Sequence, residues 1–201
     1  GSFVKAVNEG INLGYKKAYL RDSIVSAPLK RSKPGFIPAV MHTELVSGNK
    51  IKLTVLPKGF GCENKSQVKM FRPTVELEAI KEFIVGAAQD AGADACPPFV
   101  IGVGIGGTQD YACLLAKKAL LRKIGTARSR AGNLYYARKG VASLESKLLR
   151  RINKLNIGPM GLGGLVTCLA VNIEAYPTHI AGLPVAVNIS CHALRSATAW
   201  V

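Results

Sequence analysis

The sequence predicts a single α/β domain, a mixed sheet with antiparallel strands and packed helices. Three observations carry that expectation. Helical and extended patterns are interleaved along the chain rather than segregated. Two short β-like segments flank a turn signal early on, which calls for antiparallel pairing. A continuous apolar run from Phe99 to Ile105 leads at once into a helical pattern, as a buried strand would. With 201 residues, 48% of them hydrophobic, the chain can bury a substantial core and is no disordered tail.

The elements follow in order. Phe3 to Tyr19 reads as a helix, with Val7, Ile11 and Ala18 set among lysines. The chain opens as if in mid-helix after Gly1-Ser2, a pair typical of a cloning scar, so native sequence is expected upstream. Pro28 to Pro38 is a basic, proline-containing loop. Ala39–Leu45 and Lys50–Leu56 read as strands around the turn Ser47-Gly48-Asn49. In the second, Ile51, Leu53 and Val55 alternate with Lys52 and Thr54, which predicts one buried face. Pro57 to Lys65 is a glycine-rich polar loop. Val75 to Ala91 is a helix with a charged face that stops at Gly92.

Cys96-Pro97-Pro98 then breaks the pattern, because proline cannot continue a helix. The apolar strand follows, with a glycine-rich turn and a helix from Gln109 to Arg122. Lys123 to Gly132 is a basic connection expected to be mobile. Ala142 to Leu155 is a helix with Leu144, Leu148, Leu149 and Ile152 on its inner face, ended by Asn156-Ile157-Gly158-Pro159. Leu165–Glu174 and Ala181–Ile189 should be strands, the second buried.

The formal net charge is +15. It suits anionic ligands or an acidic partner subunit. Nucleic acid is a poor fit, since no nucleic-acid motif accompanies the basic residues and only 6% of residues are aromatic. No apolar run reaches the roughly 18 residues of a spanning helix, and no secretory signal is legible at the start. The five cysteines, Cys62, Cys96, Cys113, Cys168 and Cys191, contain no C-x-x-C pair. That argues against a zinc ribbon, and the odd count against a disulfide framework. A reducing, cytoplasmic location is expected. Cys113 and Cys168 sit in apolar surroundings and read as core packing. Wide cysteine spacing is compatible with an iron–sulfur cluster and equally with buried structural thiols.

Gly102, Gly104 and Gly107 satisfy G-x-G-x-x-G between a strand and a helix, the setting of a dinucleotide fingerprint. The acidic residue expected about twenty positions on is absent. Arg122, Lys123, Arg128 and Arg130 stand there instead, a set that would suit the 2′-phosphate of NADP.

Longer motifs point elsewhere. They are Tyr19-Leu20-Arg21-Asp22-Ser23, Pro57-Lys58-Gly59-Phe60-Gly61-Cys62-Glu63-Asn64, Cys96-Pro97-Pro98 with the glycine strand, and Lys117 to Arg122. Gly158-Pro159-Met160-Gly161-Leu162-Gly163-Gly164, Tyr176 to Asn188, and Cys191-His192-Ala193 complete the series. In this order they resemble the iron–sulfur (class I) fumarate hydratases, in their alpha subunit or N-terminal half, over nearly the whole of residues 1–201. The tartrate dehydratase alpha subunits are close relatives of that family.

The resemblance implies a hydro-lyase that reversibly hydrates fumarate to malate. It implies a [4Fe-4S] cluster with Cys96 and Cys191 among its ligands. The family's third cysteine lies in an upstream Cys-Gln-Asp-Thr-Gly motif that has no counterpart here. The chain is therefore expected to be truncated upstream of that motif and inactive alone. Cys62 stands where the family usually has serine and could serve as a surrogate ligand. By the same resemblance His179 is the catalytic and substrate-binding histidine, Arg21 holds a substrate carboxylate, and Gly59 and Gly61 present backbone N–H groups to the substrate. His192 supports the cluster, and Met160 replaces a glutamine. The implied partners are a small dicarboxylate, a beta subunit or C-terminal half, and further copies in an oligomer, with no membrane.

Two other classes stay open from sequence. One is tartrate dehydration. The other is a non-catalytic scaffold or interaction subunit, which the missing motif, Cys62 and Met160 would suit.

Overall fold

A computed structural model describes residues 1–124 and 138–201. The expected basic connection from Lys123 to Gly132 lies outside the described residues from position 125 onward. The chain divides into two compact units, Gly1–Asn49 and Lys50–Val201.

In the first unit, helix α1 (Phe3–Lys17) forms as its pattern predicts. Val7, Ile11 and Tyr15 share its half-buried stripe. Tyr15 packs on Phe36 with ring centroids 5.6 Å apart. The Asn8 carboxamide accepts the Ala39 N–H at 2.9 Å, so a polar residue on the same stripe ties down the later loop. Residues 39–45 form no strand, a correction to the expected early hairpin.

The second unit carries the mixed sheet. Strand β1 (Lys52–Val55) pairs with β6 (Ala197–Trp200), antiparallel, in a separate two-stranded ribbon. The partner of the first strand thus comes from the end of the chain, where no local signal points to it. The expected buried face is only partly formed: Ile51 is 47% and Val55 37% exposed, while Leu53 between them is half-buried. The segment expected as a plain loop after β1 contains a single helical turn, α2 (Phe60–Glu63). Strand β2 (Gln67–Phe71) and helix α3 (Leu77–Ala91) follow. Strand β3 (Phe99–Gly107) leads into α4 (Gln109–Ala119); helix α5 (Arg138–Asn153), β4 (Cys168–Thr178) and β5 (Leu183–Ser190) complete the main layer.

The four-stranded sheet has the order β2-β5-β3-β4. Strand β3 pairs parallel to β4 and antiparallel to β5. Its two faces differ sharply. Phe99, Ile101, Val103, Val185, Val187 and Ile189 form one face, packed with Ile84 of α3 and Leu148 and Ile152 of α5 into a single core. The opposite face is built from small residues under most of α4, with Val100 and Leu120 packed together at one end. Ala186 lies with Ala112 and Ala116 of α4, and Gly102 and Gly104 lie directly beneath that helix. A Cβ on Gly102 would sit 2.0 Å from the Ala116 carbonyl oxygen, and one on Gly104 would sit 1.9 Å from that of Ala112. These glycines therefore belong to the strand, not to a turn. Their missing side chains let a helix backbone settle onto the sheet.

Polar ties hold the end of the layer together. Arg122 forks onto Glu145 at 2.6 Å and 3.4 Å. The same carboxylate accepts the Ile173 N–H at 2.8 Å. The carboxamide oxygen of Asn153, at the end of α5, accepts both the Thr167 and Cys168 N–H groups at 2.8 Å.

Candidate functional site

One end of the sheet gathers four chain segments. Strand β3 begins there, just after Cys96, and β5 ends there, just before Cys191. Between them the register pairs Val100 with Ser190. The α2 turn approaches from the side, and the glycine loop at residues 158–164 closes from another. Its Met160 N–H donates to the Pro97 carbonyl at 2.9 Å. Gly161, at φ +79°, approaches Ala93 so closely that a Cβ would fall 2.4 Å from the Ala93 Cβ.

Cys96 is held in the left-handed region, at φ 51° and ψ 64°. That conformation is costly for a side chain other than glycine or asparagine. Its N–H donates to the Ala93 carbonyl at 3.0 Å. Its own carbonyl lies 3.2 Å from His192 Nδ1. A carbonyl can only accept, so Nδ1 carries the proton and Nε2 is the ring nitrogen left to accept in the neutral form. His192 thus links the Cys96 and Cys191 segments.

Cys62 is buried, its thiol 3.4 Å from the Ala95 carbonyl. Cys191 is half-buried and packs against the same core. Burial, and then the adjoining Cys191, push the Cys62 thiol up to about 11 despite the nearby Lys58 ammonium. Cys168 is buried in the core as expected, and burial pushes its thiol up to about 12. Cys113 corrects its expectation. It lies on the exposed face of α4 and is not a core residue.

Beneath the thiols is a charged network that the sequence reading missed. Lys58 Nζ donates to the Ile189 carbonyl at 2.7 Å and pairs with Glu63 at 2.9 Å. Lys117 reaches the same carboxylate at 2.7 Å. The Asn188 carboxamide donates to Glu63 at 3.3 Å and to Ser66 Oγ at 2.9 Å. Lys58 and Glu63 were visible in one motif, but nothing local couples them to positions 117 and 188. Burial works against ionisation of Glu63, and the hydrogen bonds from Lys117 and Lys58 override it, holding the carboxyl down at about 2.

The sign of that shift fixes a pH dependence. The folded value lies below the ordinary 4.5, so the network's contribution is present above the ordinary value and is lost as pH falls from there toward about 2. Glu63→Gln removes the carboxylate at every pH. The stability gap between the native chain and this variant, measured by urea unfolding at pH 7, 5 and 3, is expected to be widest at pH 7 and to shrink at pH 3. A gap that stays constant over that range contradicts this account of Glu63.

The other expected site residues fall as follows. Gly59 caps α2 and Gly61 lies inside it, near the thiols. A Cβ at Gly61 would meet the Asp94 carbonyl at 3.3 Å, so this glycine lets α2 close on the turn before Cys96. Arg21 belongs to the first unit and is exposed. His179 is exposed in the turn between β4 and β5. Its Nδ1 accepts the Ala181 N–H at 3.2 Å, so Nε2 carries the proton in the neutral ring. This turn lies at the far end of the sheet. Thr178 Oγ1 bonds there to the Gly107 carbonyl, at the last residue of β3. Eight residues of β5 separate His179 from Cys191, roughly 25 Å at about 3.4 Å per residue. The structure thus brings Cys62, Cys96, Cys191, Gly59 and Gly61 together, and places His179 apart from them.

The dinucleotide reading is answered by the same geometry. Gly102 and Gly104 serve the α4 contact, and Gly107, at φ +72°, packs on Tyr111.

Comparison with known proteins gives a consistent family. The family model described as fumarate hydratase (Fumerase) matches residues 1–200. A Methanocaldococcus jannaschii protein provisionally named L(+)-tartrate dehydratase subunit alpha is 40% identical over 200 residues, covering 96% of this chain and 67% of its own. L(+)-tartrate dehydratase subunit alpha of Escherichia coli O157:H7 is 31% identical over 165 residues, covering 82% of this chain and 52% of its own. The same subunit in strain K12 is 30% identical over the same length. The chain therefore spans two thirds of the archaeal relative and about half of the bacterial ones.

Proposed function

This chain belongs to the fumarate hydratase (Fumerase) family, and from that premise we propose that it is the alpha-type part of an iron–sulfur hydro-lyase converting fumarate and malate. The observation that carries the reading is the gathering of Cys96 and Cys191 at one end of the sheet, with Cys62 in the buried cluster that Cys191 borders and Cys96 in a conformation that costs energy to hold. Soft thiol donors from distant parts of a chain are what an iron–sulfur cluster requires. Among the described residues no three histidine, cysteine or acidic side chains converge as metal ligands. Cys96 and Cys191 would hold the cluster, and His192 would orient them through its bond to the Cys96 carbonyl. When bound, the cluster supplies a Lewis acid that polarises the substrate.

The residues of the chain do the rest. The excess of basic side chains draws in a dianion. Lys58 and Lys117 are committed to Glu63 and fix the α2 turn, so that Gly59 and Gly61 can present backbone N–H groups. Arg21 supplies a planar fork for a carboxylate. A dicarboxylate is far shorter than the strand between Cys191 and His179. His179 is therefore proposed to act at a site to which another polypeptide contributes the cysteine end. The working protein is proposed to be an oligomer with a beta partner, in the cytoplasm. No described helix is long and apolar enough to cross a membrane.

A second reading, tartrate dehydration, is favoured by the names of the relatives. Both readings remove or add water at a dicarboxylate, and one assay separates them. The longer protein containing this chain, produced anaerobically with its beta partner, is offered fumarate and L(+)-tartrate in parallel. Turnover of fumarate supports the proposal, turnover of tartrate alone supports the second reading, and turnover of neither overturns both. The chain of residues 1–201 by itself is expected to be inactive in this assay.

A further inference from the structure

The cations of α5 belong to no role given above. Lys147, Arg150 and Arg151, with Lys154 just beyond the helix, follow at spacings of three and four residues and so share one face. The Lys154 N–H donates to the Arg150 carbonyl at 3.2 Å, which carries the helical turn on to it. That face borders α3 across a cleft of about 380 Å³, lined by these four residues with Glu78 and Lys81. The carboxylates there are already engaged. Glu78 pairs with Lys81 at 2.8 Å and with Arg151, and Glu82 also pairs with Arg151. Lys147, Arg150 and Lys154 are exposed and have no carboxylate partner among the described residues. Five cations thus face two carboxylates, an excess of three positive charges. Like charges three and four residues apart weaken a helix. The helix dipole offsets that cost for Arg150 and Arg151 in the last turn, but not for Lys147, a turn further in.

We propose that the cleft between α3 and α5 binds a small compound carrying a chain of phosphate groups. Its volume falls at the lower end of the range for small-molecule pockets. From Lys147 to Lys154 the cations extend along about 10 Å of helix, at about 1.5 Å per residue, which suits a short chain of phosphates rather than a long polymer. Tetrahedral phosphates present oxygens in several directions, to the fork of Arg150 and to the separate ammonium groups of Lys147 and Lys154 at once. A planar carboxylate engages fewer of them. The bound anion would neutralise the excess charge and relieve the repulsion along α5, so it should stabilise the fold by mass action. The inference does not rest on the hydro-lyase reading, because no residue of the cleft belongs to the cysteine end or to the His179 turn.

The test titrates the purified chain with inorganic tripolyphosphate by calorimetry at physiological salt, about 0.15 M, with thermal unfolding as a second readout. The expected result is saturable binding of one tripolyphosphate per chain and a raised Tm. In the triple variant Lys147→Ala, Arg150→Ala, Lys154→Ala, checked for folding by circular dichroism, binding is expected to weaken roughly tenfold or more, since three exposed ion pairs are lost together. Arg150→Ala alone should weaken it by a smaller factor. The control removes as much charge from the same unit. Lys50→Ala, Lys52→Ala, Arg195→Ala changes three exposed cations that do not line the cleft, and its binding should match the parent's. No saturable binding by the parent overturns the proposal. So does an equal loss in the two triple variants, which would mean diffuse attraction to net charge. Citrate that binds as tightly as tripolyphosphate overturns the choice of phosphate. A short oligothymidylate that binds more tightly, and is lost in the same cleft variant, overturns the small ligand in favour of a nucleic acid.

Discussion

Gly104→Ala is expected to destabilise the fold by at least about 3 kcal/mol, the upper end of what overpacking costs. The new methyl carbon would lie 1.9 Å from the Ala112 carbonyl oxygen and 2.8 Å from the Ala116 nitrogen. Both are backbone atoms of a helix, so no side-chain rotation relieves the clash. Either α4 must lift from the sheet or β3 must bend. Lifting α4 would uncover Ala186 and the buried side of Ala112 and Ala116. It would also break the bond from the Asn172 carboxamide to the Ala119 carbonyl. Gly102→Ala should behave alike, for the same reason at Ala116. Gly86→Ala is the control. That glycine lies in α3, and a Cβ added there would meet nothing within 4 Å, so the change should stabilise by about 0.5–1 kcal/mol through helix propensity. Urea unfolding of the three variants beside the parent decides the matter. A Gly104→Ala chain within about 1 kcal/mol of the parent would contradict the packing of α4 on β3.

The same glycines show what the sequence could and could not disclose. The apolar run with its following helix announced β3 and α4 correctly, because burial on both faces leaves a continuous hydrophobic signature. A glycine inside that run has two physical uses, a turn for a ligand or close approach of a helix. Only the structure distinguishes them, since the deciding atoms belong to Ala112 and Ala116. The helices α1, α3 and α5 were legible from their own periodicity. Strand β6 and the pairing of β1 were not, because the two strands meet from opposite ends of the unit and their exposed ribbon leaves no buried stripe to read. Strand β2 was missed for a similar reason: Val68, Lys69 and Met70 are all exposed.

At the site, Cys96 and Cys191 were singled out by motif, and the register of β3 against β5 accounts for their sharing one end of the sheet. The neighbourhood of Cys62 and Cys191 depends on where α2 docks, which Lys58, Glu63, Lys117 and Asn188 determine together. That network is spread over four segments and has no local pattern. The placement of His179 follows from strand length alone. An eight-residue antiparallel strand necessarily carries its two ends apart, and the interval between His179 and Cys191 already contained that information.

The most direct measurement is iron and acid-labile sulfide per chain after anaerobic reconstitution, made on the parent and on a Cys96→Ser, Cys191→Ser double variant, with circular dichroism to confirm that both are folded. The account predicts iron and sulfide in the parent, below one cluster per chain because the family's third cysteine has no counterpart here, with thiolate-to-iron absorption, and their loss in the folded double variant. Equal iron and sulfide in the two proteins, or none in the parent, would contradict the assignment of the cysteine end as an iron–sulfur site.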